Sequence, residues 1–325
     1  MRHLTKTAAL IGAIGMLATP ALAIEAKLGH LAPPEDPRHE SLELFAERVA
    51  EGTDGEISVS IYPNSTLGGE RELVEQAQAG ITELALVGSI VANFYPAWSI
   101  IDMPFLWNDE EHLSAFIESD RAQGWAAEMA EELGFEMLGF FQRNPRILTT
   151  RNQPVNSIED LSGLKVRVPD IQVYTDTWRA YNVEPAPMPA ADFYMALRLG
   201  MIDGMENPVE VMYHWKIHEV ADYLSLTNHM RSGFFFVASK NFMDSLTDEQ
   251  RAVVQEAAKE AQDYLAQKNA EGAAELLDKL RAEGMEIIEN PDISGFVEAS
   301  RGVHEQYMDV FGRDAYDEAV ALGSR

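Results

Sequence analysis

Two arginines and one asparagine occupy marked positions in the middle of this 325-residue chain. Arg146 opens the run Arg-Ile-Leu-Thr-Thr, Arg167 lies in Leu-Lys-Val-Arg-Val-Pro, and Asn207 stands directly before Pro208. The arginine guanidinium is planar, and its fork of donors matches the two oxygens of a carboxylate. Two guanidiniums and one amide can therefore form a clamp for a small organic acid.

The elements that would position this clamp alternate between strand and helix. Apolar runs and alternating patterns predict strands, and helical spacing of apolar residues predicts helices between them. The predicted strands include 57–61, 83–87, 164–168 and 234–238, and the predicted helices include 70–79 and 193–199. Such alternation indicates an α/β fold with largely parallel sheets. Ligands bind such sheets at the carboxyl ends of the strands, where the sequence places Arg167.

A long helix is predicted after Leu246. Thr247 and Gln250 have the spacing of a capping box, and helical composition continues to about Glu283. A helix of roughly 35 residues is about 50 Å long at 1.5 Å per residue. Because few single domains need such a length, we predict two lobes around a cleft and a helix that spans both.

The composition argues against several classes of protein. The chain has no cysteine, which excludes disulfides, thiol nucleophiles and thiolate metal sites. A net charge of −28 argues against nucleic acid and anionic membranes as partners. No nucleophile elbow, P-loop or dinucleotide-binding motif is present. We therefore predict neither an enzyme nor a cofactor, although the 53 acidic residues leave open a hydrolase or lyase acting on an acidic substrate.

The first residues have the pattern of a secretory signal peptide. Arg2 and Lys6 precede a short apolar run, and Ala21-Leu22-Ala23 fits a cleavage site, so we predict a signal at 1–23. Its removal takes away two positive charges and no acid, which makes the net charge −30. No cysteine near the site could carry a lipid. We expect the mature chain to be exported and not inserted in a membrane.

Three motifs carry a resemblance to a known family: 62–68 (Tyr-Pro-Asn-Ser-Thr-Leu-Gly), 164–169 (Leu-Lys-Val-Arg-Val-Pro) and 203–208 (Asp-Gly-Met-Glu-Asn-Pro). At these spacings the mature chain resembles the DctP-type solute-binding proteins of tripartite ATP-independent periplasmic (TRAP) transporters. The resemblance implies a two-lobed, periplasmic-binding-protein-like fold in which the chain crosses between lobes more than once. It predicts lobe I from 24–146 and 235–272, and lobe II from 147–234 and 273–325 with the C-terminal helices.

The same resemblance assigns roles to individual residues. It makes Arg167 the selectivity arginine for a carboxylate, Arg146 a second binding arginine, and Asn207 a ligand contact. Asn207 also suits the N-cap of a helix beginning at Pro208, and both roles can hold together. Weaker candidates for ligand contact are Ser89, Glu70, Asp170, Glu210 and Phe234. Arg143 and Arg151 are nearby alternatives for the role of Arg146, but we expect both to be solvated.

Departures from better-known members bear on the ligand. Sialic-acid and ectoine binders have an aromatic residue where this chain has Ala190, and sialic-acid binders have a carboxylate where it has Gly88. Both differences argue against those ligands. A carboxylate at Glu210 would suit hydroxyl groups, which favours a hydroxylated or sugar acid.

One pair of histidines is spaced as metal ligands can be. His214 and His218 have zinc-ligand spacing but no third ligand motif, so we predict no metal site. We expect Trp215 and Phe193 to belong to the core. The resemblance implies a monomer in the periplasm that hands its ligand to membrane TRAP transporter subunits. An exported carboxylate sensor that uses the same cleft remains an alternative.

Overall fold

The structure is a computed structural model, and it describes residues 23–323. The predicted signal peptide lies outside the described residues except for Ala23. The first half of the chain forms β1 (Ile24–His30), α1 (Pro37–Gly52), β2 (Ile57–Tyr62), α2 (Glu70–Ala79), β3 (Leu84–Val87), α3 (Glu110–Ile117), α4 (Asp120–Leu133) and β4 (Phe135–Gln142). Two 3-10 segments, Ser89–Asn93 and Pro96–Asp102, follow β3. The predicted helix 70–79 is confirmed residue for residue.

The second half adds a second set of strands and a group of C-terminal helices. In chain order these are β5 (Arg146–Thr150), β6 (Lys165–Val168), α5 (Gln172–Ala180), β7 (Glu184–Pro187), α6 (Phe193–Leu199), β8 (Gly204–Asn207), α7 (Val209–His214), β9 (Tyr223–Met230), β10 (Gly233–Ser239), α8 (Lys240–Ser245), α9 (Asp248–Ala282), β11 (Glu286–Ile288), α10 (Ser294–Phe311) and α11 (Arg313–Leu322).

The strands form two sheets, and each sheet is the centre of one lobe. Lobe I contains a five-stranded sheet in the order β2-β1-β3-β10-β4. Lobe II contains a six-stranded sheet in the order β11-β9-β5-β8-β6-β7. The predicted two-lobed α/β fold is therefore confirmed. Where each lobe ends along the chain stays a prediction.

The sheets are mixed, whereas the sequence predicted largely parallel ones. β5 runs antiparallel to both β8 and β9, and β10 runs antiparallel to both β3 and β4. These are the two strands that the chain enters directly after crossing between lobes, at 143–145 and 231–232. A short link between lobes reverses the direction of the strand that follows it. Helix-strand alternation within a lobe could not reveal this reversal.

The long helix α9 has 35 residues, as the sequence predicted. Thr247 accepts a hydrogen bond from the N–H of Gln250, and the Gln250 side chain caps the N–H of Thr247 in return. The first part of α9 packs Val254 and Ala258 into the core of lobe I, and the last part packs Leu276 and Leu280 into that of lobe II. The helix thus connects the two lobes.

The C-terminal helices pack against both lobes. Tyr307 of α10 donates a hydrogen bond to Asp176 of α5 (2.9 Å), while His304 of the same helix contacts the carbonyl oxygen of Pro104 (2.7 Å). In α11 the carbonyl oxygen of Ala319 contacts His112 of α3 (2.6 Å). These helices therefore bridge the two lobes.

Candidate functional site

A small cavity of about 60 Å³ lies between the lobes and is lined by arginines. Its lining includes every member of the predicted clamp and part of the weaker set. The predicted residues in the lining are Arg167, Arg146, Asn207, Ser89, Glu70 and Phe234. The lining also contains Arg38, Arg143, Tyr174, Phe193 and Trp215.

Strand directions in lobe II explain why the predicted clamp residues meet. β5 is antiparallel to β8, and Ile147 pairs with Asn207, so the start of β5 lies beside the end of β8. β6 is parallel to β8, and Arg167 pairs with Met205, so the end of β6 reaches the same edge. Arg146, Arg167 and Asn207 are thereby brought to one edge of the sheet, which faces the cavity.

Lobe I supplies the opposite wall by the same geometry. β10 is antiparallel to β3, and Phe235 pairs with Val87, so the start of β10 lies next to the end of β3. Ser89 follows β3, and Phe234 lies at the start of β10. Arg143 comes from the crossing that follows β4. The crossings between lobes therefore form part of the cavity wall.

Arg167 is buried at the cavity without an acidic partner. The residue is 4 % exposed, and within residues 23–323 no carboxylate forms an ion pair with it. Its Nε and Nη2 both donate to the carbonyl oxygen of Met188, at 3.1 and 2.7 Å. Phe193 lies under the guanidinium, 5.1 Å from its ring centre. Burial, with Arg146 nearby, lowers the pKa of Arg167 to about 10.

Arg146 lies in the same wall but is bound to an acid of its own sheet. Its Nε donates to Oε2 of Glu206, and its Nη2 donates to Oε1 and to the carbonyl oxygen of Glu206, at 2.7 and 3.0 Å. Neither side chain is more than 4 % exposed. Burial would raise the pKa of Glu206, but the Arg146 charge lowers it to about 2. This fork of Arg146 is therefore engaged before any ligand arrives.

Arg143 is buried, which makes the expectation of a solvated side chain wrong. Its side chain is 7 % exposed, because the crossing between lobes carries it into the cavity wall rather than to the surface. Its Nη2 donates to Oδ1 of Asn207 (3.1 Å). Oε1 of Glu210 lies 3.8 Å from its Nε, too far for a hydrogen bond. Burial, together with Arg146 and Arg38, lowers the pKa of Arg143 to about 10.

Asn207 ends β8 and is 6 % exposed. Because Arg143 occupies its Oδ1, the amide nitrogen is left as a donor, and this nitrogen makes no hydrogen bond to another part of the chain described here. Pro208, rather than Asn207, stands at the N-cap of α7, and the predicted capping role of Asn207 is wrong by one residue. The strand continues one residue further than its Asn-Pro signal suggested.

Arg38 is a second buried arginine that sequence analysis did not identify. It forms an ion pair with Asp36, the N-cap of α1, in which Nε donates to Oδ1 at 2.7 Å. Arg38 and Arg143 both face the ring of Phe234, at 4.9 and 4.5 Å from its centre. The Asp36-Pro37 start signal of α1, next to a proline-rich loop, was the one sequence feature that could have drawn attention to this position.

A buried carboxylate joins the two lobes behind the cavity. Ser89 Oγ donates to Asp102 Oδ1 (2.9 Å) from lobe I, and Tyr174 Oη donates to the same oxygen (2.8 Å) from lobe II. Asp102 is fully buried, and its Oδ2 has no hydrogen-bond partner among the described residues. Burial raises the pKa of Asp102 to about 6.

The remaining candidates lie around the cavity rather than together. Glu70 begins α2, lines the cavity and accepts the N–H of Gly88 through Oε1 (2.7 Å). A methyl group at Gly88 would lie 2.8 Å from that oxygen. Asp170 lies at the mouth, where it forms an ion pair with Arg71 (3.5 Å). Glu210 lies behind Arg143 and accepts from Asn144 (3.2 Å), and burial raises its pKa.

The aromatic residues expected in the core have two roles. Phe193 and Trp215 stack on each other, with ring centres 5.2 Å apart, and both also line the cavity. Their rings give the cavity apolar surface next to its arginines, because Phe193 lies under Arg167 and the ring centre of Trp215 lies 5.7 Å from the guanidinium of Arg38. His214 and His218 lie in a separate surface pocket, and residues 23–323 contain no group of three side chains that could hold a metal ion.

The arrangement defines a class of protein: a two-lobed binding protein with a charged, enclosed ligand site between the lobes. The chain belongs to the bacterial extracellular solute-binding proteins, family 7 (DctP), whose family model matches residues 28–309. The predicted resemblance to TRAP transporter solute-binding proteins is thereby confirmed. A solute-binding protein of Roseobacter denitrificans is 30 % identical over 294 residues, which cover 89 % of this chain and 90 % of that protein.

Solved structures of TRAP periplasmic solute-binding proteins share the fold. One from a Polaromonas species, bound to D-erythronate, superimposes with a TM-score of 0.88 at 28 % identity and covers 92 % of this chain and 98 % of its own. One from Roseobacter denitrificans, bound to L-galactonate, has a TM-score of 0.85 at 28 % identity with the same coverage of both chains. Both ligands carry one carboxylate and several hydroxyl groups. Within residues 23–323, no helix has the length and apolarity needed to cross a membrane.

Proposed function

We propose that this protein captures a small hydroxylated carboxylate, such as a sugar acid, in the periplasm and delivers it unchanged to the membrane subunits of a TRAP transporter. Membership of the family supports the role in transport. The D-erythronate and L-galactonate bound to two structural relatives support the class of ligand. The removable N-terminal signal predicted from the sequence supports the location.

Arg167 carries the proposal. This guanidinium is 4 % exposed, and among the described residues its only hydrogen-bond partner is the carbonyl oxygen of Met188, so its charge has no ion pair in a low-dielectric site. The burial of such a charge costs free energy unless an anion binds next to it and compensates it. The ligand carboxylate supplies this anion, and the free amide nitrogen of Asn207 offers a further donor. Arg146 holds Glu206 in place and supports this edge of the sheet.

The hydroxyl groups of the ligand have partners on the other wall. Glu70 and Ser89 bring oxygen atoms from lobe I, and Phe193 and Trp215 supply apolar surface for the carbon chain. Because Arg167 and Asn207 belong to lobe II, a ligand that binds both walls favours the closed state of the cleft. We propose that closure around the acid is the signal that the membrane subunits recognise.

The test is a thermal-shift screen of mature protein that has been unfolded and refolded to remove carried-over ligand. D-erythronate, L-galactonate, dicarboxylates and keto acids are compared with the uncharged lactone of galactonate as the matched control. At a thousandfold excess over Kd, binding adds about 4 kcal/mol, which is enough to raise Tm by several degrees. The proposal expects a shift with a hydroxylated acid and none with the lactone. Equal shifts with acid and lactone, or no shift with any acid, would contradict it.

A further inference from the structure

We propose that Arg143 is a ligand-binding residue that contacts the bound acid together with Arg167. This inference rests on the proposed function. Neither the family resemblance nor the sequence pattern singled out Arg143, which lies outside any regular element, in the crossing between β4 and β5.

The side chain of Arg143 retains a buried donor that a ligand oxygen can satisfy. Its side chain lies in the cavity wall with 7 % exposure, yet its only hydrogen bond among the described residues is from Nη2 to Asn207. Nε is fully buried and has no hydrogen-bond partner in that part of the chain. Buried polar atoms in folded proteins nearly always have partners, so this group stands out.

The charges around Arg143 also favour an incoming anion. Arg146 and Arg38 are close enough to disfavour its charge, whereas the one acidic side chain of the described residues within ion-pair distance, Glu210, lies 3.8 Å away and makes no hydrogen bond to it. By contrast, Arg146 makes three hydrogen bonds to Glu206, and Arg38 is paired with Asp36. An electronegative ligand oxygen would therefore stabilise Arg143 more than either of these two arginines.

The position of Arg143 indicates which part of the ligand it contacts. Nη2 is 3.1 Å from Oδ1 of Asn207, so the two side chains present adjacent donors to the cavity. The guanidinium carbon of Arg143 lies over the ring of Phe234, 4.5 Å from its centre, a contact that favours this position of the side chain. A ligand oxygen that accepts from the amide of Asn207 then lies within reach of the guanidinium edge of Arg143.

The test is a double-mutant cycle between Arg143→Gln and Asn207→Ala, with Kd measured by titration calorimetry. The probe is whichever of D-erythronate or L-galactonate binds the wild-type protein. We expect Arg143→Gln to weaken binding at least tenfold relative to wild type. We expect the double variant to bind about tenfold more weakly than Asn207→Ala alone. A residue that acted only by orienting Asn207 would have no effect once Asn207 is gone. Arg198→Gln, at an exposed arginine on α6, is the control for loss of charge.

Each outcome of this test supports or overturns the contact between Arg143 and the ligand. Wild-type affinity in Arg143→Gln, or no additional loss in the Asn207→Ala background, would overturn the inference while leaving the proposed function intact. If Arg143→Gln does not fold, a crystal structure of the wild-type complex replaces it. A ligand oxygen within 3.5 Å of the guanidinium of Arg143 would support the inference, and its absence would overturn it. Failure of every carboxylate to bind the wild-type protein would remove both proposals together.

Discussion

Removal of Arg146 should destabilise the ligand-free protein strongly, because the change leaves a buried carboxylate without its partner. The variant is Arg146→Met, which retains much of the side-chain volume. Glu206 would then be fully buried, with His229 as its nearest basic group at 3.4 Å. It would lose two side-chain hydrogen bonds and a third to its carbonyl oxygen.

The magnitude follows from these contacts. Removal of one partner of a buried ion pair costs about 3–5 kcal/mol, because the other charge is left uncompensated. We therefore expect Arg146→Met to lower the free energy of unfolding by about 3–5 kcal/mol. The matched control is the double variant Arg146→Met with Glu206→Met, which removes both charges and should lie within about 2 kcal/mol of wild type. Urea denaturation of refolded, ligand-free protein measures all three.

The refuting results are clear for this pair. A cost below about 1 kcal/mol for Arg146→Met would show that Glu206 does not depend on Arg146. A double variant as unstable as the single one would show that packing, rather than charge, explains the loss. Either result would remove the role of Arg146 as the charge partner that stabilises Glu206, and would leave for it the ligand contact that the family resemblance implied.

Three further changes test other parts of the account. Glu70→Gln should lower the ratio of the affinities for D-erythronate and succinate at least tenfold by calorimetry, because Glu70 lines the cavity and repels the second carboxylate of succinate. An unchanged ratio would contradict this. The wild-type protein should lose stability as the pH rises from about 4 to 6, and Asp102→Asn should not show this loss. Burial raises the pKa of Asp102 from 3.8 to about 6, so its ionisation lowers the free energy of unfolding by up to about 3 kcal/mol. Urea titrations at several pH values measure this loss, and identical pH profiles of the two proteins would refute the prediction. Thr247→Ala should cost about 1 kcal/mol in the same assay by removing the cap of α9, and a neutral effect would show that the long helix does not depend on it.

Local patterns in the sequence were sufficient to predict individual elements. The helix 70–79 and the 35-residue helix α9 were predicted because caps, glycine stops and apolar spacing are local signals. Arg167 was placed at the cleft because it ends a predicted strand, whereas Arg146 and Asn207 were assigned to the site by the family resemblance. The reversed direction of β5 and β10 could not be predicted, since it depends on where the chain crosses between lobes.

The site residues that could not be predicted from the sequence are defined by contacts between residues that are distant in the chain. Arg143 and Arg146 are three residues apart and chemically identical. Yet the side chain of Arg146 is bound to Glu206, whereas that of Arg143 makes a single hydrogen bond within the described residues. Only the pairing of β5 with β8 brings Glu206 to Arg146 rather than to its neighbour. The buried position of Asp102 could not be predicted from the sequence either, because its partners Ser89 and Tyr174 come from separate lobes.

The most direct test of the central claim is the Kd of Arg167→Ala and Arg167→Lys for the acid that binds the wild-type protein, measured by titration calorimetry. The loss of a buried contact to a charged group costs about 2–5 kcal/mol, so we expect Arg167→Ala to bind at least thirtyfold more weakly. Arg167→Lys should also bind poorly, because one ammonium cannot replace the planar fork. The exposed Arg198→Gln should bind as the wild type does. If both Arg167 variants bind within about threefold of wild type, the site does not recognise a carboxylate through Arg167, and the account is contradicted.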